Sequence, residues 1–483
     1  MFNVIFYEDL VSKTVTDENG NEVRTFVCRV PSKYVCTTLR TANNFFLNAE
    51  IEKFVGSMPA LVSATSMFEG SKIKTVHDVK FDETGEEVEC AADFDNVSDA
   101  YRMFADCGDL TNVNIDMNSL ISINSTFAGC SSLTSFSGSM NGLENGSGMF
   151  VECPNLTSFT ASVNKLQYGD SMFRGTKISS VDVEFNSLET ATEMFAYCSS
   201  LTSLSFSFPL LKECDGMFRG SGLTSISLTI PSAVLGSDMF NGCSSLTSVS
   251  GDFSAVRNGD RMFYGCKALS SLKLNLPSLE RAYNMFSGNV VFTRFEGNLH
   301  NLVDGTEMFY QSFLNTFITD NLDSLIIGKS MFKGCKIRNW SIDMPSLMDG
   351  SYMFEGNNHA SDNNQCLQNF KSNLDSLTNG VGMFKGCKQL SGFNAALPSL
   401  ENGTEMFMNC KLDATSVMYI VETLPHHTSG SHPIGIGVNA DSSTIETFVK
   451  EMGVYSNWAA LKQRLSSKGW SATWYDSSGN VLS

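Results

Sequence analysis

The sequence predicts a β-rich repeat solenoid of about fifteen rungs, preceded by a small β region and followed by an α/β cap. Three observations carry this prediction: a dipeptide at near-constant spacing, a period-two apolar stretch in the unit, and a column of small residues beside the dipeptide. Met-Phe recurs with its Met at 67, 103, 149, 172, 194, 217, 239, 262, 285, 308, 331, 353, 383 and 406, and Thr126-Phe127 fills the one gap. The steps are 22 or 23 residues except for two, of 36 and 30.

The unit reads Met-Phe-x-Gly-Cys-x-x-Leu-Thr-Ser-Leu-x-Leu-x-Leu-Pro-Ser-Leu-Glu-x-Gly-x-x and is nearly pure from Met262. Phe fills the second column of every rung from Phe68 to Phe407, which implies an internal stack of rings along the axis. The flexible Met beside it fills the remaining irregular volume. Three residues before the Met column stand nine Gly, four Ala, Cys214 and one bulky residue, Ile123. A column this small marks either a turn of unusual φ or a close backbone approach.

Leu272, Leu274 and Leu276 alternate with Lys273 and Asn275, so they form a strand with one apolar and one polar side. Pro277 ends it, since proline cannot donate to a ladder. Each rung is therefore a strand, a Pro/Ser corner, a short return and a Gly turn. A single rung cannot bury its apolar side, whereas a stack makes a continuous core. At a strand spacing of about 4.7–4.9 Å, fifteen rungs would extend roughly 70 Å.

The 36-residue step adds residues around Lys80–Cys90, with an acidic turn at Asp82–Glu87, and the 30-residue step adds a polar run in Asn357–Phe370. Both are expected as surface excursions. Residues 1–50 hold two strand-like runs, Val4–Tyr7 and Thr25–Val30, around a hairpin turn at Asp17–Asn21. Residues 51–410 are the solenoid. Residues 411–483 form the cap, with helices expected at Ala414–Leu424, Ser443–Met452 and Trp458–Ser467 and strands at Ile434–Val438 and Ser471–Tyr475.

A net charge of −18 opposes binding to nucleic acid or to anionic lipid, because phosphate recognition needs a positive field. No stretch reaches the roughly 20 apolar residues of a membrane span. The N-terminus also lacks the basic, apolar and small-residue segments of a secretory leader.

Nine of the 14 cysteines (107, 130, 153, 198, 243, 266, 335, 387 and 410) stand four residues after the Met column. Close Cys pairs of metal-site spacing are missing. Thr176, Ser221, Asn289, Ser312 and Asn357 interrupt the column, which works against disulfides between rungs. Small, buried, reduced residues in an internal ladder fit better, in a chain assembled in a reducing cytosol. His426, His427 and His432 lie within seven residues but lack a carboxylate at completing spacing, so they read as a polar loop. Neither a nucleophile elbow nor a phosphate loop is present. Catalytic residues, cofactor and metal are therefore not expected. The candidate interaction face is the outward side of the strands, at Asp182, Glu184, Ser205, Ser207, Ser227, Thr229, Lys273, Asn275, Ser341 and Asp343. Hydroxyls and carboxylates there suit a protein partner or a glycan, the scarcity of outward aromatic rings favours the protein, and a solvated sheet face without a partner is the plain alternative.

The stretches MFNGCSSLTSV (239–249), MFAYCSSLTSL (194–204) and TFAGCSSLTSF (126–136) resemble the BspA-like leucine-rich repeats, over residues 51–410. The resemblance implies a leucine-rich-repeat-like solenoid, surface display, and adhesion or recognition. Gly430–Val438 and Lys468–Trp474 resemble the tails of such repeat proteins in gut Bacteroidales and their crAss-like phages. Members of the family are normally exported, so a chain without a leader fits a phage virion component in the tail, a fibre or a head-surface appendage. Its partners would be other virion proteins, further copies of itself, and a host-surface protein or glycan. A bacterial surface adhesin is the alternative, and a solenoid glycan depolymerase, which would need paired carboxylates, stands behind both.

Overall fold

Parallel stacking of near-identical units organises the chain in a computed structural model that describes residues 10–16, 22–28, 33–35, 38–83, 86–123, 125–181, 183–356 and 367–482. It is a leucine-rich-repeat-like β-solenoid with a small helix-and-sheet region at its C-terminal end. Two compact units are distinguished, Met1–Ala233 and Val234–Ser483. In the first, strands at Lys53–Ser57, Thr75–Phe81, Asn112–Asp116, Ser135–Ser139 and Ser158–Phe159 pair in parallel, as do Ser203–Ser207 and Ser225–Thr229. In the second, Ser271–Lys273, Arg294–Glu296 and Thr316–Ile318 form one parallel set and Asn339–Trp340, Asn369–Lys371 and Gly392–Asn394 another.

The opposite side of each rung, around Met-Phe, is also hydrogen-bonded rung to rung. In the rung of Phe150, the N–H groups of Gly146, Gly148 and Phe150 donate to Tyr168, Asp170 and Met172 of the next rung. Two ladders, one of strands and one of turns, thus satisfy the backbone on both sides of the core.

Between them run the rings. All fifteen Phe of the predicted column are 0 % exposed. Within the first unit successive centroids from Phe68 to Phe218 lie 5.0–6.0 Å apart, and within the second, from Phe240 to Phe407, 5.1–5.6 Å. The planes are near parallel, 2° apart for Phe286 and Phe309. A second column comes from strand positions: Phe295, Phe317 and Trp340, then Phe370 and Phe393, stack on one another and meet the first column edge-on. Offset and edge-to-face contacts each add about 0.5–1.5 kcal/mol beyond area burial.

The small column serves close approach rather than an unusual φ. None of its glycines has a positive φ. A Cβ on Gly305 would lie 2.9 Å from Met331 Sδ, and one on Gly380 would lie 3.0 Å from Met406 Sδ. At these positions the Met of the following rung occupies the space that the missing side chain leaves, while Gly236 meets Met239 of its own rung. The left-handed residues stand elsewhere, immediately before the Met column (φ 51–64°) and three residues after it (φ 55–79°). In the Phe150 rung these are the third residues of turns closed by Met149 N–H to Gly146 O and by Cys153 N–H to Phe150 O. That is type II geometry, which requires a positive φ there. Glu307, Tyr352 and Tyr197 are non-glycine residues held in it.

At the N-terminus, β1 (Leu10–Thr16) pairs antiparallel with β2 (Glu22–Cys28). The expected hairpin exists, but its first strand follows the run 4–7, which lies outside the described residues with the turn at 17–21. Stacking also starts before residue 51: β3 (Lys33–Val35) pairs in parallel with β4 (Lys53–Ser57), and Phe46 stacks 5.1 Å from Phe68. The first long step is a hairpin, with β5 (Thr75–Phe81) turning back into β6 (Glu87–Cys90). The second falls on residues 357–366, outside the described ones. Its expected last residue, Phe370, is core at 1 % exposure rather than surface.

The cap imitates one more rung. Its strand His432–Gly437 lies along the last turn, Phe407 N–H donates to Gly435 O, and a Cβ on Gly403 would meet Ile434 Cγ1 at 3.0 Å, where other rungs meet the next Met. Gly435 is required because Glu405 Cα would be 2.7 Å from its Cβ. Helix α1 (Ala414–Thr423) closes the strand side: Ser416 Oγ accepts from Phe393 N and donates to Ser391 O, which satisfies the sheet edge. Helices α2 (Ile445–Glu451) and α3 (Trp458–Ser467) and the strands Trp470–Tyr475 and Val481–Leu482 complete it. The buried Lys468 donates to the carbonyls of Val421, Glu422 and Leu424 at the end of α1.

Phe286→Ala is expected to cost about 3–5 kcal/mol, as for large buried aromatics generally. Gly305→Leu, which drives atoms into Met331, should lower the urea midpoint sharply. Glu307→Gly should leave it nearly unchanged, because glycine relieves a left-handed strain of about 1–2 kcal/mol while losing more chain entropy on folding. Equal losses for the last two would refute the separation of close-approach and left-handed columns.

Candidate functional site

Of the candidate interaction face, Ser205, Ser207, Ser227 and Lys273 are exposed strand residues and Thr229 is a half-buried one, while Glu184, Asn275, Ser341 and Asp343 are exposed but lie outside the strands. Asp182 lies outside the described residues. The register brings Ser205 beside Ser227 and Ser207 beside Thr229 in the first unit, and Lys273 beside Glu296 in the second. Within the second unit the positions do not converge on one point; Ser341 and Asp343 stand three rungs beyond Lys273 and Asn275.

The corner chemistry sorts these residues into two kinds. Where the corner residue has an N–H, the polar side chain two positions earlier caps it: Asp252 accepts from Ser254 N at 2.9 Å, Asn298 from His300 N at 3.0 Å and Asn373 from Asp375 N at 2.9 Å. Ser207, Thr229, Asn275 and Asp343 each stand two positions before a proline (Pro209, Pro231, Pro277 and Pro345). Proline has no N–H to cap. Asp343 instead accepts from Asn373 N of the next rung at 2.7 Å. Proline corners therefore release a polar side chain from its local task.

Beside Asn275 the face is notched. A pocket of about 250 Å³ is lined by Lys273, Asn275, Glu296, Asn298, Thr319 and Asp320, with Gly297 and Ile318. Its origin is a shift of register. Phe295 follows Phe286 by nine residues and Phe317 follows Phe309 by eight, whereas Leu299 and Leu322 both follow by 13. One extra residue thus sits between Ile318 and Leu322, and a local two-for-one insertion of this kind re-aims side chains as a bulge does. Gly297 must be glycine, since a Cβ there would lie 2.1 Å from Leu274 O. Glu296 pairs with Lys273 Nζ at 2.5 Å and with Arg294 Nη2 at 2.9 Å, and these two hydrogen-bonded cations hold its carboxyl below the usual range. Asn298 Nδ2 donates to Asp320 Oδ2 at 2.9 Å.

Aromatic side chains do project outward, but from the turn side, at Tyr101, Tyr197, Tyr264 and Tyr283. Ion pairs between rungs accompany them, including Arg174 with Glu193, Arg261 with Asp238 and Lys333 with Glu355. Such half-exposed pairs contribute about 0–1 kcal/mol each.

The cysteine column is buried, with free thiols. The Sγ of Cys107, Cys130, Cys153, Cys198, Cys266, Cys335, Cys387 and Cys410 each donates to the carbonyl of the preceding rung's Phe, at 2.9–3.2 Å. Asn289 takes the same carbonyl position, with its Nδ2 2.9 Å from Phe263 O. Asn289 shows that the column accepts another donor in place of the thiol, whereas Thr176 turns its hydroxyl to the carbonyl of Phe173 in its own rung. His427 and His432 stack 3.5 Å apart and contact the carbonyls of Leu400, Glu401 and Ser429, joining the cap to the last rung. Among the described residues no group of three or more His, Cys, Asp or Glu is placed to hold a metal, and no helix is long and apolar enough to cross a membrane.

Burial pushes the Cys335 thiol from its ordinary 9.0 up to about 12 and Cys198 up to about 11. A raised thiol contributes stability that is fully present below pH 9 and is lost as the pH rises through the folded value. The unfolding free energy should therefore fall between pH 9 and 11. Maleimide at neutral pH should label the column only after denaturation. Cys335→Ser should stay near wild type, while Cys335→Ala should cost about 1 kcal/mol; ready labelling of the folded chain would contradict the buried-donor assignment.

The model of the BspA type leucine-rich repeat region matches residues 99–214, 214–338 and 305–428. Among solved structures, a leucine-rich repeat protein from Bacteroides ovatus is similar at 16 % identity, covering 76 % of this chain and 99 % of its own, with a TM-score of 0.42. A leucine-rich cell surface protein from Faecalibacterium prausnitzii is similar at 15 % identity, covering 66 % and 95 %, with a TM-score of 0.32. The pneumococcal vaccine antigen PcpA is similar at 13 % identity over 93 % and 98 %, with a TM-score of 0.28. No curated protein matches. The family match spans well over half of the sequence, and the chain belongs to the BspA-type leucine-rich repeat family.

Proposed function

We propose that this protein is a non-enzymatic interaction module that presents its strand face to another macromolecule, and that a phage particle carries it, with one terminal region docked to the virion. The observation that carries the interaction reading is the set of polar side chains that proline corners leave without a local partner: Ser207, Thr229 and Asn275 make no side-chain hydrogen bond among the described residues. Hydrogen-bonding groups held on a rigid sheet and unused by the fold cost little entropy to engage. The ladder of reduced thiols supports the placement, because it suits folding in a reducing cytoplasm followed by release with the particle. A BspA-like adhesin on a bacterial surface shares the same face and differs in its route.

Mass spectrometry of gradient-purified virions is expected to find the chain at a stoichiometry fixed relative to the capsid protein. Its recovery instead from the shaved surface of intact, uninfected bacteria would replace the virion with the adhesin and leave the interaction reading standing.

A further inference from the structure

We propose that the notch in the strand face between Asn275 and Asp320 is a sugar subsite, which takes one ring of an uncharged glycan. The inference rests on the reading of the strand face as the interaction surface and names what that face binds at this point.

Charge points to an uncharged ligand. Lys273 and Arg294 are matched by Glu296, which pairs with both, and Asp320 adds one carboxylate held by Asn298. Two cations and two carboxylates leave no net field to draw a phosphate or a divalent cation. What the notch offers is a dense mixture of donors and acceptors within three successive rungs. The Asn275 amide has no corner N–H to cap, because Pro277 follows it. The Asn298 amide is oriented by three bonds: its Oδ1 accepts from His300 N and faces His300 Nδ1, and its Nδ2 donates to Asp320. The Asp320 carboxylate is exposed on the inserted residue. Neighbouring hydroxyls on a sugar ring each donate and accept, and adjacent amide and carboxylate groups match that pattern.

Size and shape restrict the ligand further. About 250 Å³ is below the roughly 300–1,000 Å³ of drug-sized ligand sites, so a single ring fits rather than an extended oligomer. An extended peptide is disfavoured because the strands here are paired with neighbours in a parallel ladder and offer no backbone edge. No aromatic platform lines the notch, which lowers affinity. Ile318, 42 % exposed at its rim, supplies an aliphatic surface for the C–H face of the ring.

The test uses the full chain and saturation-transfer NMR with glucose, galactose, mannose and N-acetylglucosamine at millimolar concentration. At least one sugar should show transfer, and Asp320→Ala should weaken it roughly tenfold, the loss of one charge-assisted hydrogen bond. Thr319→Arg, which fills the notch, should abolish it, while Ser207→Arg on the other unit should leave it unchanged. Circular dichroism melts confirm that each variant is folded. Absence of transfer from all four sugars overturns the subsite, as does transfer that Thr319→Arg does not change. Adsorption of the chain to host cells separates the two readings. If Thr319→Arg or Ser207→Arg blocks adsorption without any sugar signal, the face is an interaction surface of another kind; if neither does, the strand-face reading falls too.

Discussion

Stacking of one phenylalanine on the next is the interaction on which everything else in this molecule depends. A flat ring repeated once per rung demands a constant advance along the axis, and a constant advance demands a constant chain length per turn. Deviations in length therefore have to leave the stack, as the hairpin of β5 and β6 does. The ring also sets the demands on its neighbours. Its carbonyl faces inward and must be satisfied, which the Cys of the next rung does. The turn that carries it needs two left-handed residues.

Met and Gly form a coupled pair across rungs. A Met side chain of one rung fills the volume above the Gly of the rung before, so neither column is intelligible alone. The last rung makes the coupling visible: no Met follows Gly403, and Ile434 of the cap occupies the place instead. The cap is accordingly more than a lid over apolar surface. It contributes to both halves of a rung, with a strand against the turn ladder and a serine hydroxyl bonded to Phe393 N and Ser391 O at the edge of the strand ladder.

Most of this architecture was legible because repetition makes a sequence its own alignment. The Phe stack, the inward Leu272 and Leu274, and the buried thiols follow from column identity alone, although the strand itself ends at Lys273 rather than running to Leu276. Three features did not. The small column admitted two physical explanations, and the fold assigns them to different columns, close approach at Gly305 and positive φ at Glu307. The donor role of Cys335 was hidden because burial and hydrogen bonding select the same small residue, although Asn289 in the column was a polar clue. The notch was missed because the shift is compensated: Phe317 comes one residue early and Leu322 returns to phase, so the Met-Phe spacing stays at 23. Counting from Phe to strand within each unit would have found it.

The same repetition limits where function can reside. Inward positions are claimed by the stack, and turn positions by left-handed geometry and backbone pairing. Corner positions are usually claimed by capping, as Asp252, Asn298 and Asn373 show. A side chain becomes available only where a rung dispenses with one of these tasks. Proline at the corner does so at Ser207, Thr229 and Asn275, and the inserted residue does so at Asp320. In a solenoid of this family the candidate surface is thus written by departures from the consensus, and two such departures coincide where Asn275 and Asp320 face each other across Asn298.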